Sequence, residues 1–417
     1  MKYIRSNTLN KMLFFLVLFF LGLMSASITH AETYTFVTKW GSSGSGHGEF
    51  NKPMGVAFNY VGDIYVIDNF NNRVQKFYSN DRFITTFGSI GSSSDEFNCP
   101  EIIAFDSRGN FYITDSMNAR IKKYYSNNTF DTAWGSSGNG PGKFTLTTGL
   151  AIDSSNNIYV TDRSNNSIQK FNSTGNFITM WGSSGINNGQ FSDPWRVAVD
   201  SFGNVYVADR GNNRVQKFDC NGNFITKWGS FGSNAGQFKG YFNYPIGIAV
   251  DKWDNVYVAD TGNNRVQKFD CNGNFITMWG STGRGNGQFV LPGDVAVDSM
   301  GIVYVADTGN DRIQKFANPA QTIHHMVNFV QGLATSGELN SVVADSLTFE
   351  LANINKNLCI QESCLNIGNA KVAIDELKTF NHQIETYITT LALSPRSGQK
   401  LIDAANDIIV ALDHHVK

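Results

Sequence analysis

One long motif recurs six times along residues 36–316 of this chain. It runs from G-x-G-x-F through P-x-G-V-A-V-D and Y-V-A-D-x-G-N-N-R-V-Q-K-F to F-I-T-x-W-G-S. Its central aspartate recurs every 47 residues, with a single interval of 51, at Asp68, Asp115, Asp162, Asp209, Asp260 and Asp307. A period in this range predicts an array of identical supersecondary units rather than one irregular core.

Each copy contains four short runs of alternating or β-branched residues, which predict four β-strands. In the fourth copy these runs are 196–200, 204–209, 214–218 and 223–228. Segments rich in Gly, Asn and Asp join the first run to the second and the third to the fourth, as in tight hairpins. Four antiparallel strands in each of six copies predict an all-β, six-bladed β-propeller over residues 32–317.

The two ends of the repeat array predict how the ring closes. No W-G-S strand follows Phe316, whereas the array opens with a surplus strand of that kind at 36–40. We expect this N-terminal strand to pair beside 313–316 and complete the last blade. Such pairing would remove both open edges of the ring.

The D-x-x-N-x-R core inside Y-V-x-D-x-x-N-x-R-V-Q-K-F, preceded by P-x-G-V-A-V-D, resembles the NHL repeat family. This resemblance implies the propeller fold, but the family includes extracellular sensor domains, enzymes and the RNA-binding ends of certain ubiquitin ligases. It therefore implies no single function. The RING and B-box cysteines that a ligase would carry are absent from the sequence.

Residues 1–31 have the composition of a secretory signal peptide. Lys2, Arg5 and Lys11 precede an apolar run from Leu13 to Met24, and small residues lead to a cleavage position after Ala31. The run is short for a membrane span, although an uncleaved anchor is the alternative. We expect a secreted or cell-surface protein without a stable transmembrane segment after cleavage.

The charge balance argues against a nucleic-acid partner. The chain has 33 basic and 35 acidic residues, and three of the basic ones lie in the signal segment. The mature protein is therefore mildly acidic and lacks the basic stripe that nucleic-acid binding requires.

The five cysteines are too few for a dense disulfide framework. Cys359 and Cys364 are close enough in sequence to form a disulfide in an oxidising compartment. No Cys/His spacing matches a zinc site, and we expect neither a metal nor another cofactor.

Residues 318–417 change to a helical period. Apolar residues recur at i, i+3 and i+4 in runs near 320–335, 338–356, 369–392 and 397–415, which predict a bundle of four amphipathic helices. This region is similar to the FIMAH domain appended to many secreted microbial proteins. The resemblance implies an accessory or surface-associating module.

The repeated Asp, Asn and Arg of each motif invite a binding interpretation. Near-identical sets in six blades, however, indicate a structural element, in which Asp and Asn cap a turn and Arg neutralises the Asp. Functional residues are better sought where the copies differ.

Deviations cluster just before V-A-V-D, where the chain enters the innermost strand of each blade. We predict that these residues converge at the mouth of the central channel and form a ligand site of aromatic and charged side chains. The candidates are Met54, Glu101, Trp195, Arg196 and Asp294.

A second set of deviations is predicted on the same face of the propeller. It comprises residues in the turns between the second and third strands and in the four-residue insertion, namely Phe70, Met117, Arg163, Arg210, Tyr241, Phe242 and Tyr244. An exposed aromatic cluster suits an interaction surface. The alternative is that these loops vary because nothing constrains them.

We therefore predict a secreted, non-catalytic recognition scaffold that binds a protein, glycan or small ligand on its loop-rich face. The alternative is a propeller lyase or hydrolase resembling the peptidyl-hydroxyglycine or streptogramin lyases, which use channel histidines. Residues 32–317 contain one histidine, His47, so a three-histidine metal site cannot be assembled there.

Overall fold

The computed structural model describes residues 32–238, 245–359 and 367–416. Within these ranges the chain forms six four-stranded sheets followed by four helices. Five of these sheets each come from one copy of the motif, and the sixth combines the last copy with the N-terminal strand, which confirms the six-bladed propeller. Tyr241, Phe242, Tyr244 and Cys364 lie outside the described residues, as does the side chain of Cys359. The interaction role of the insertion and the disulfide stay predictions.

In chain order the strands are β1 (Thr35–Trp40), β2 (Pro53–Phe58), β3 (Ile64–Asp68), β4 (Arg73–Phe77), β5 (Phe83–Phe87), β6 (Pro100–Phe105), β7 (Phe111–Asp115), β8 (Arg120–Tyr124), β9 (Phe130–Trp134), β10 (Thr147–Ile152), β11 (Ile158–Asp162), β12 (Ser167–Phe171), β13 (Phe177–Trp181), β14 (Pro194–Val199), β15 (Val205–Asp209), β16 (Arg214–Phe218), β17 (Phe224–Trp228), β18 (Pro245–Val250), β19 (Val256–Asp260), β20 (Arg265–Phe269), β21 (Phe275–Trp279), β22 (Ser281–Thr282), β23 (Gln288–Phe289), β24 (Asp294–Val297), β25 (Val303–Asp307) and β26 (Arg312–Ala317). Blades 1 to 5 are β2–β5, β6–β9, β10–β13, β14–β17 and β18–β21, and blade 6 is β24, β25, β26 and β1. Strands a to d denote the four strands of a blade, from the channel outward.

The ring closes through the N-terminal strand. β1 pairs antiparallel with β26, with Phe36 opposite Phe316 and Trp40 opposite Ile313. This confirms the closure predicted from the surplus strand. The last blade is thus built from both ends of the repeat array, so separating these ends would open the ring.

Glycine and phenylalanine of the motif pack together behind every outer strand. In blade 4, Gly229 has a φ of +100°, and a Cβ there would lie 2.5 Å from the ring of Phe238. Phe238 is fully buried, as are its equivalents in the other blades. The W-G-S…G-x-F segment of the motif therefore forms one tight turn that packs over one buried phenylalanine ring.

The turn between strands a and b satisfies its own backbone. In blade 4, Asp200 Oδ1 accepts the N–H groups of Phe202 at 3.0 Å and Asn204 at 2.8 Å. Asp200 Oδ2 accepts from the Asn204 amide at 2.7 Å and from the Tyr206 hydroxyl at 2.9 Å. This Asx-type turn explains why the motif repeats Asp, Asn and Tyr at these positions.

A buried Asp–Arg pair holds the turn between strands b and c. Arg214 Nε donates to Asp209 Oδ2 at 2.6 Å, and Asp209 Oδ1 accepts the backbone N–H of Ser192 at 2.8 Å. The Arg214 guanidinium also donates to the carbonyls of Ile186 and Gln190 in the preceding loop. The same pairs recur as Asp68–Arg73, Asp115–Arg120, Asp260–Arg265 and Asp307–Arg312. This network is the structural role that the repetition predicts.

The helices are α1 (Pro319–Thr335), α2 (Ser341–Cys359), α3 (Ile367–Thr389) and α4 (Pro395–Val416). Asn318 caps α1 by accepting the backbone N–H of Gln321, and Pro319 occupies the first turn, where its missing N–H costs nothing. Four helices confirm the predicted helical content; the resemblance to FIMAH stays a prediction. Among the described helices, none is long and apolar enough to cross a membrane.

The helices pack on the propeller face that carries the a–b and c–d turns. His325 of α1 bonds the carbonyl of Met300 through Nδ1 at 3.0 Å, and Asp407 of α4 pairs with Lys315 at 2.8 Å. Residues Thr33–Lys417 accordingly form one compact unit. The b–c turns and the mouth of the channel lie on the opposite face, which these helices leave open.

We predict that Arg214→Ala lowers the free energy of unfolding by about 3–5 kcal/mol, because it leaves Asp209 buried without its charge partner. Equilibrium denaturation would measure the change. Blade 3 supplies a matched control, since Ser167 stands at the arginine position. Ser167→Ala should cost much less. Equal losses in the two variants would contradict a charge-pair role for Arg214.

Candidate functional site: the channel mouth

The innermost strands alternate between glycine and larger residues around the channel. The position compared is that of the glycine in P-x-G-V-A-V-D. Blades 1, 3 and 5 have glycine there, and blades 2, 4 and 6 have a larger residue, in the order Gly55, Ile102, Gly149, Arg196, Gly247 and Asp294. A Cβ on Gly149 would lie 2.6 Å from the carbonyl oxygen of Trp195, and one on Gly247 would lie 2.6 Å from the Cα of Asp294. Crowding at the axis therefore allows a side chain on every second blade.

Arg196 spans the channel from blade 4. Its guanidinium donates to the carbonyl oxygens of Met54 at 2.5 Å and Glu101 at 2.9 Å, and also to that of Thr148. These acceptors belong to the innermost strands of blades 1, 2 and 3. Through these hydrogen bonds Arg196 joins four blades across the axis. It is only 1% exposed and closes the channel at this depth.

Two carboxylates flank the single guanidinium. Glu101 Oε2 lies 3.8 Å from Arg196 Nη1, and Asp294 Oδ1 lies 3.7 Å from Arg196 Nε. Asp294 Oδ2 also accepts the backbone N–H of Val56 at 3.1 Å. Neither ion pair is within hydrogen-bonding distance, because the arginine hydrogen bonds go to carbonyls.

Burial dominates the protonation of this trio. It raises the pKa of Glu101 to about 7 and that of Asp294 to about 6, although the nearby Arg196 charge acts in the opposite direction. Among the described residues, Glu101 Oε2 and Arg196 Nε have no hydrogen-bond partner. The cluster therefore takes up a proton as the pH falls through neutrality.

Trp195 lies between two arginines on the same face. The guanidinium carbons of Arg163 and Arg210 are 4.2 and 4.6 Å from its ring centroid, and both arginines pair with Asp193. The indole is 9% exposed. Stacked guanidinium groups are attracted by the aromatic face and hold the indole in place.

An exposed apolar pair occupies the b–c turns of blades 1 and 2. Phe70 and Met117 are each 61% exposed and occupy equivalent positions in adjacent blades. The other blades have Ser164, Gly211, Gly262 and Gly309 at this position. Large exposed apolar side chains of this kind are a feature of contact surfaces.

The structure thus divides the candidates predicted from the sequence. Glu101, Arg196, Asp294 and the carbonyl of Met54 meet in one buried cluster, whereas Trp195 packs between Arg163 and Arg210. Phe70 and Met117 lie two residues after the aspartate that ends strand b, and both are exposed. Arg163 and Arg210 lie one residue after that aspartate, and both contact the indole of Trp195. Their role in ligand binding stays a prediction.

Two features of the site were missed at the level of sequence. Asp193 links the two arginines, and it is the only acid found directly before the first strand in any copy of the motif. The alternation of glycine with Ile102, Arg196 and Asp294 is also visible in the aligned copies. The same comparison of repeats could have found both.

Histidine and metal-ligand groups are placed elsewhere. His47 stacks on Phe83 of the outer strand β5, with ring centroids 4.4 Å apart. Within the described parts of the chain, no three His, Cys, Asp or Glu side chains are grouped to hold a metal ion.

Comparison with known proteins supports the repeat assignment. The NHL repeat model matches residues 148–171, 191–218, 242–269 and 289–316, which lie in blades 3 to 6. The chain therefore contains NHL repeats. No curated protein matches the sequence.

Several solved structures are similar to this chain at low identity. A structural genomics protein of unknown function from Bacteroides thetaiotaomicron has a TM-score of 0.52 and 20% identity, over 68% of this chain and 75% of its own. An auxiliary nutrient binding protein from Bacteroides ovatus has a TM-score of 0.49 and 15% identity, over 69% and 77%. A streptogramin B lyase has a TM-score of 0.48 and 13% identity, over 69% and 99%. At 20% identity, the likeness to the first of these structures is one of fold alone.

We predict that Glu101→Gln flattens the pH dependence of stability. The pKa of Glu101 is raised in the folded protein, so its contribution is fully present below about pH 4.5 and is lost as the pH rises through about 7. The variant should gain about 2 kcal/mol relative to the wild type between pH 5 and 8. Denaturant titration at several pH values would measure this gain.

Asp345→Asn, on the exposed face of α2, serves as the control and should follow the wild-type profile. The groups facing Glu101 are Arg196, Arg163 and Asp294, and all three remain in the variant. Parallel profiles for Glu101→Gln and the wild type would show that Glu101 titrates normally.

Proposed function

We propose that this protein is a secreted, non-catalytic recognition scaffold that binds its ligand on the face carrying the channel mouth and the b–c turns. The observation that carries the proposal is the Arg163–Trp195–Arg210 stack beside the exposed Phe70 and Met117. In other copies of the motif, the positions of the two arginines and of Phe70 and Met117 hold small or polar residues.

The constant residues of the motif explain why the residues on this face can vary from blade to blade without loss of the fold. Asp–Arg pairs such as Asp209–Arg214 hold five of the six loops from within, so side chains beyond them are free to vary. Binding residues are commonly carried on loops that a rigid scaffold positions. The propeller supplies such a scaffold, and its helices cover the other face.

The charges on this face favour a ligand with an acidic group. Arg163 and Arg210 place two guanidinium groups on this face, and both pair with Asp193. Phe70 and Met117 add apolar surface in the neighbouring blades. An acidic peptide segment or an acidic glycan would combine the two features, because guanidinium groups bind carboxylates well.

A propeller lyase or hydrolase is the alternative function. The raised pKa of Glu101, about 7, is the observation that favours it, since this value suits a general acid or base. Arg196, however, covers the channel at Glu101 and commits its own hydrogen bonds to carbonyls. Metal analysis of the purified protein tests the alternative, because a tightly held stoichiometric transition metal would favour the lyase.

The recognition proposal predicts that Phe70→Ser combined with Met117→Ser lowers ligand binding at least tenfold. Peptide and glycan microarrays probed with the labelled wild type would first identify acidic ligands. The affinity of each variant for the strongest of them would then be measured by titration. Loss of two exposed apolar contacts removes binding surface without disturbing the buried core.

Phe202→Ser is the matched control, because Phe202 is 82% exposed but lies in an a–b turn on the opposite face. It should leave the affinity unchanged. The proposal fails if the double variant binds as tightly as the wild type, or if neither array contains a ligand.

A further inference from the structure

A cavity of about 650 Å³ lies between the propeller and α4, on the face opposite the channel mouth. Its propeller wall comes from blades 1 and 6 and includes Phe58, Tyr60 and Tyr304, while Arg396 and Lys400 line the helical side. This volume is typical of small-molecule sites. The site proposed for the recognition function shares none of these residues.

Tyr304 differs from the equivalent buried tyrosines of blades 2 to 5. In blades 2 to 5 this tyrosine donates to the aspartate of the a–b turn, in the pairs Tyr112–Asp106, Tyr159–Asp153, Tyr206–Asp200 and Tyr257–Asp251. Tyr304 is 2% exposed and lines the cavity, yet its hydroxyl has no hydrogen-bond partner among the described residues. A ligand in the cavity can supply the partner that this hydroxyl lacks.

Asp298, the equivalent aspartate of blade 6, also lacks its usual partners. In blades 2 to 5, Oδ2 of this aspartate accepts a hydrogen bond from an asparagine side chain. Blade 6 has Ile302 at the position of that asparagine. Asp298 Oδ1 keeps the backbone bonds from Met300 at 2.8 Å and Ile302 at 3.0 Å. Asp298 lines the cavity, and its Oδ2 has no hydrogen-bond partner among the described residues.

The face of α4 that lines the cavity is polarised. Arg396 and Lys400 lie toward its N-terminus, and Asp403 and Asp407 follow at helical spacing. The carboxylates are engaged with the propeller, Asp403 with Ser79 at 2.5 Å and Asp407 with Lys315. Neither cation of this end has a carboxylate partner within 4 Å among the described residues: Arg396 donates to the Tyr60 carbonyl, and Lys400 makes a 3.4 Å contact with the same carbonyl.

We propose that this cavity binds a small zwitterion, an amino acid or short peptide. Its ammonium group would donate to Tyr304 Oη and Asp298 Oδ2, and its carboxylate would accept from Lys400 and Arg396. An ammonium has three donors and no acceptor, which matches two oxygen atoms left without donors. The rings of Phe58 and Tyr60 offer apolar contact to the rest of the ligand.

Isothermal titration of the full chain with each of the twenty free amino acids and with a set of dipeptides tests the proposal. Saturable binding is expected for at least one zwitterion. Ethylamine, acetate and glucose should bind at least tenfold more weakly, because each lacks one or both charges. Equal binding of glucose would overturn the assignment of ligand class, and the absence of saturable binding by every zwitterion would overturn the site.

Tyr304→Phe and Asp298→Asn should each weaken zwitterion binding at least tenfold. Tyr304→Phe should leave the melting temperature unchanged, since it removes a hydroxyl that bonds nothing in the protein. Tyr206→Phe is the matched control: it removes a bonded hydroxyl, so it should lower the melting temperature and leave binding unchanged. Wild-type affinity in both cavity variants would also overturn the site.

The variant with Phe70→Ser and Met117→Ser separates this inference from the proposed function. It should retain zwitterion binding, because both residues lie on the opposite face. Loss of zwitterion binding in that variant, with retention in Tyr304→Phe, would assign the zwitterion to the channel mouth instead.

Discussion

The hydrogen bonds between β1 and β26 hold the ring closed, and the rest of the propeller depends on them. Each blade is a small sheet that buries its faces against its two neighbours, so an open array would expose apolar surface at both ends. Pairing Phe36 with Phe316 covers both ends at once. It also fixes blade 6 beside blade 1, and the cavity beneath α4 is lined by residues of these two blades.

Closure brings six innermost strands close together at the axis, and this crowding shapes the candidate site. Side chains fit on alternate blades, and the polar ones, Arg196 and Asp294, face each other across the channel with Glu101. The channel is therefore closed by a charged cluster near the b–c face. Recognition on this face would use what lies above the cluster, namely the stacked Trp195 and the exposed loop residues.

Much of this fold follows from the sequence because the information is repeated. Strand count and turn chemistry appear in several copies, whereas closure and the four helices each follow from a local pattern that occurs once. The candidate site was located only in part. The strand order alone was enough to place Trp195 and Arg196 at the channel mouth. The different side-chain contacts of these two residues depend on neighbours that are far away in sequence. Arg196 contacts a carbonyl 142 residues away, a distance that no local pattern encodes.

By itself the sequence determined the blades, their number and the end that closes the ring, because strand period and turn residues act within about 50 residues. Only the tertiary structure decided which charges meet, how far burial raises the pKa of Glu101, and that Tyr304 and Asp298 face a cavity beneath α4. The physical reason is that desolvation and hydrogen-bond satisfaction are properties of a packed neighbourhood. A residue that departs from the motif shows where to look, and its surroundings decide what it can do.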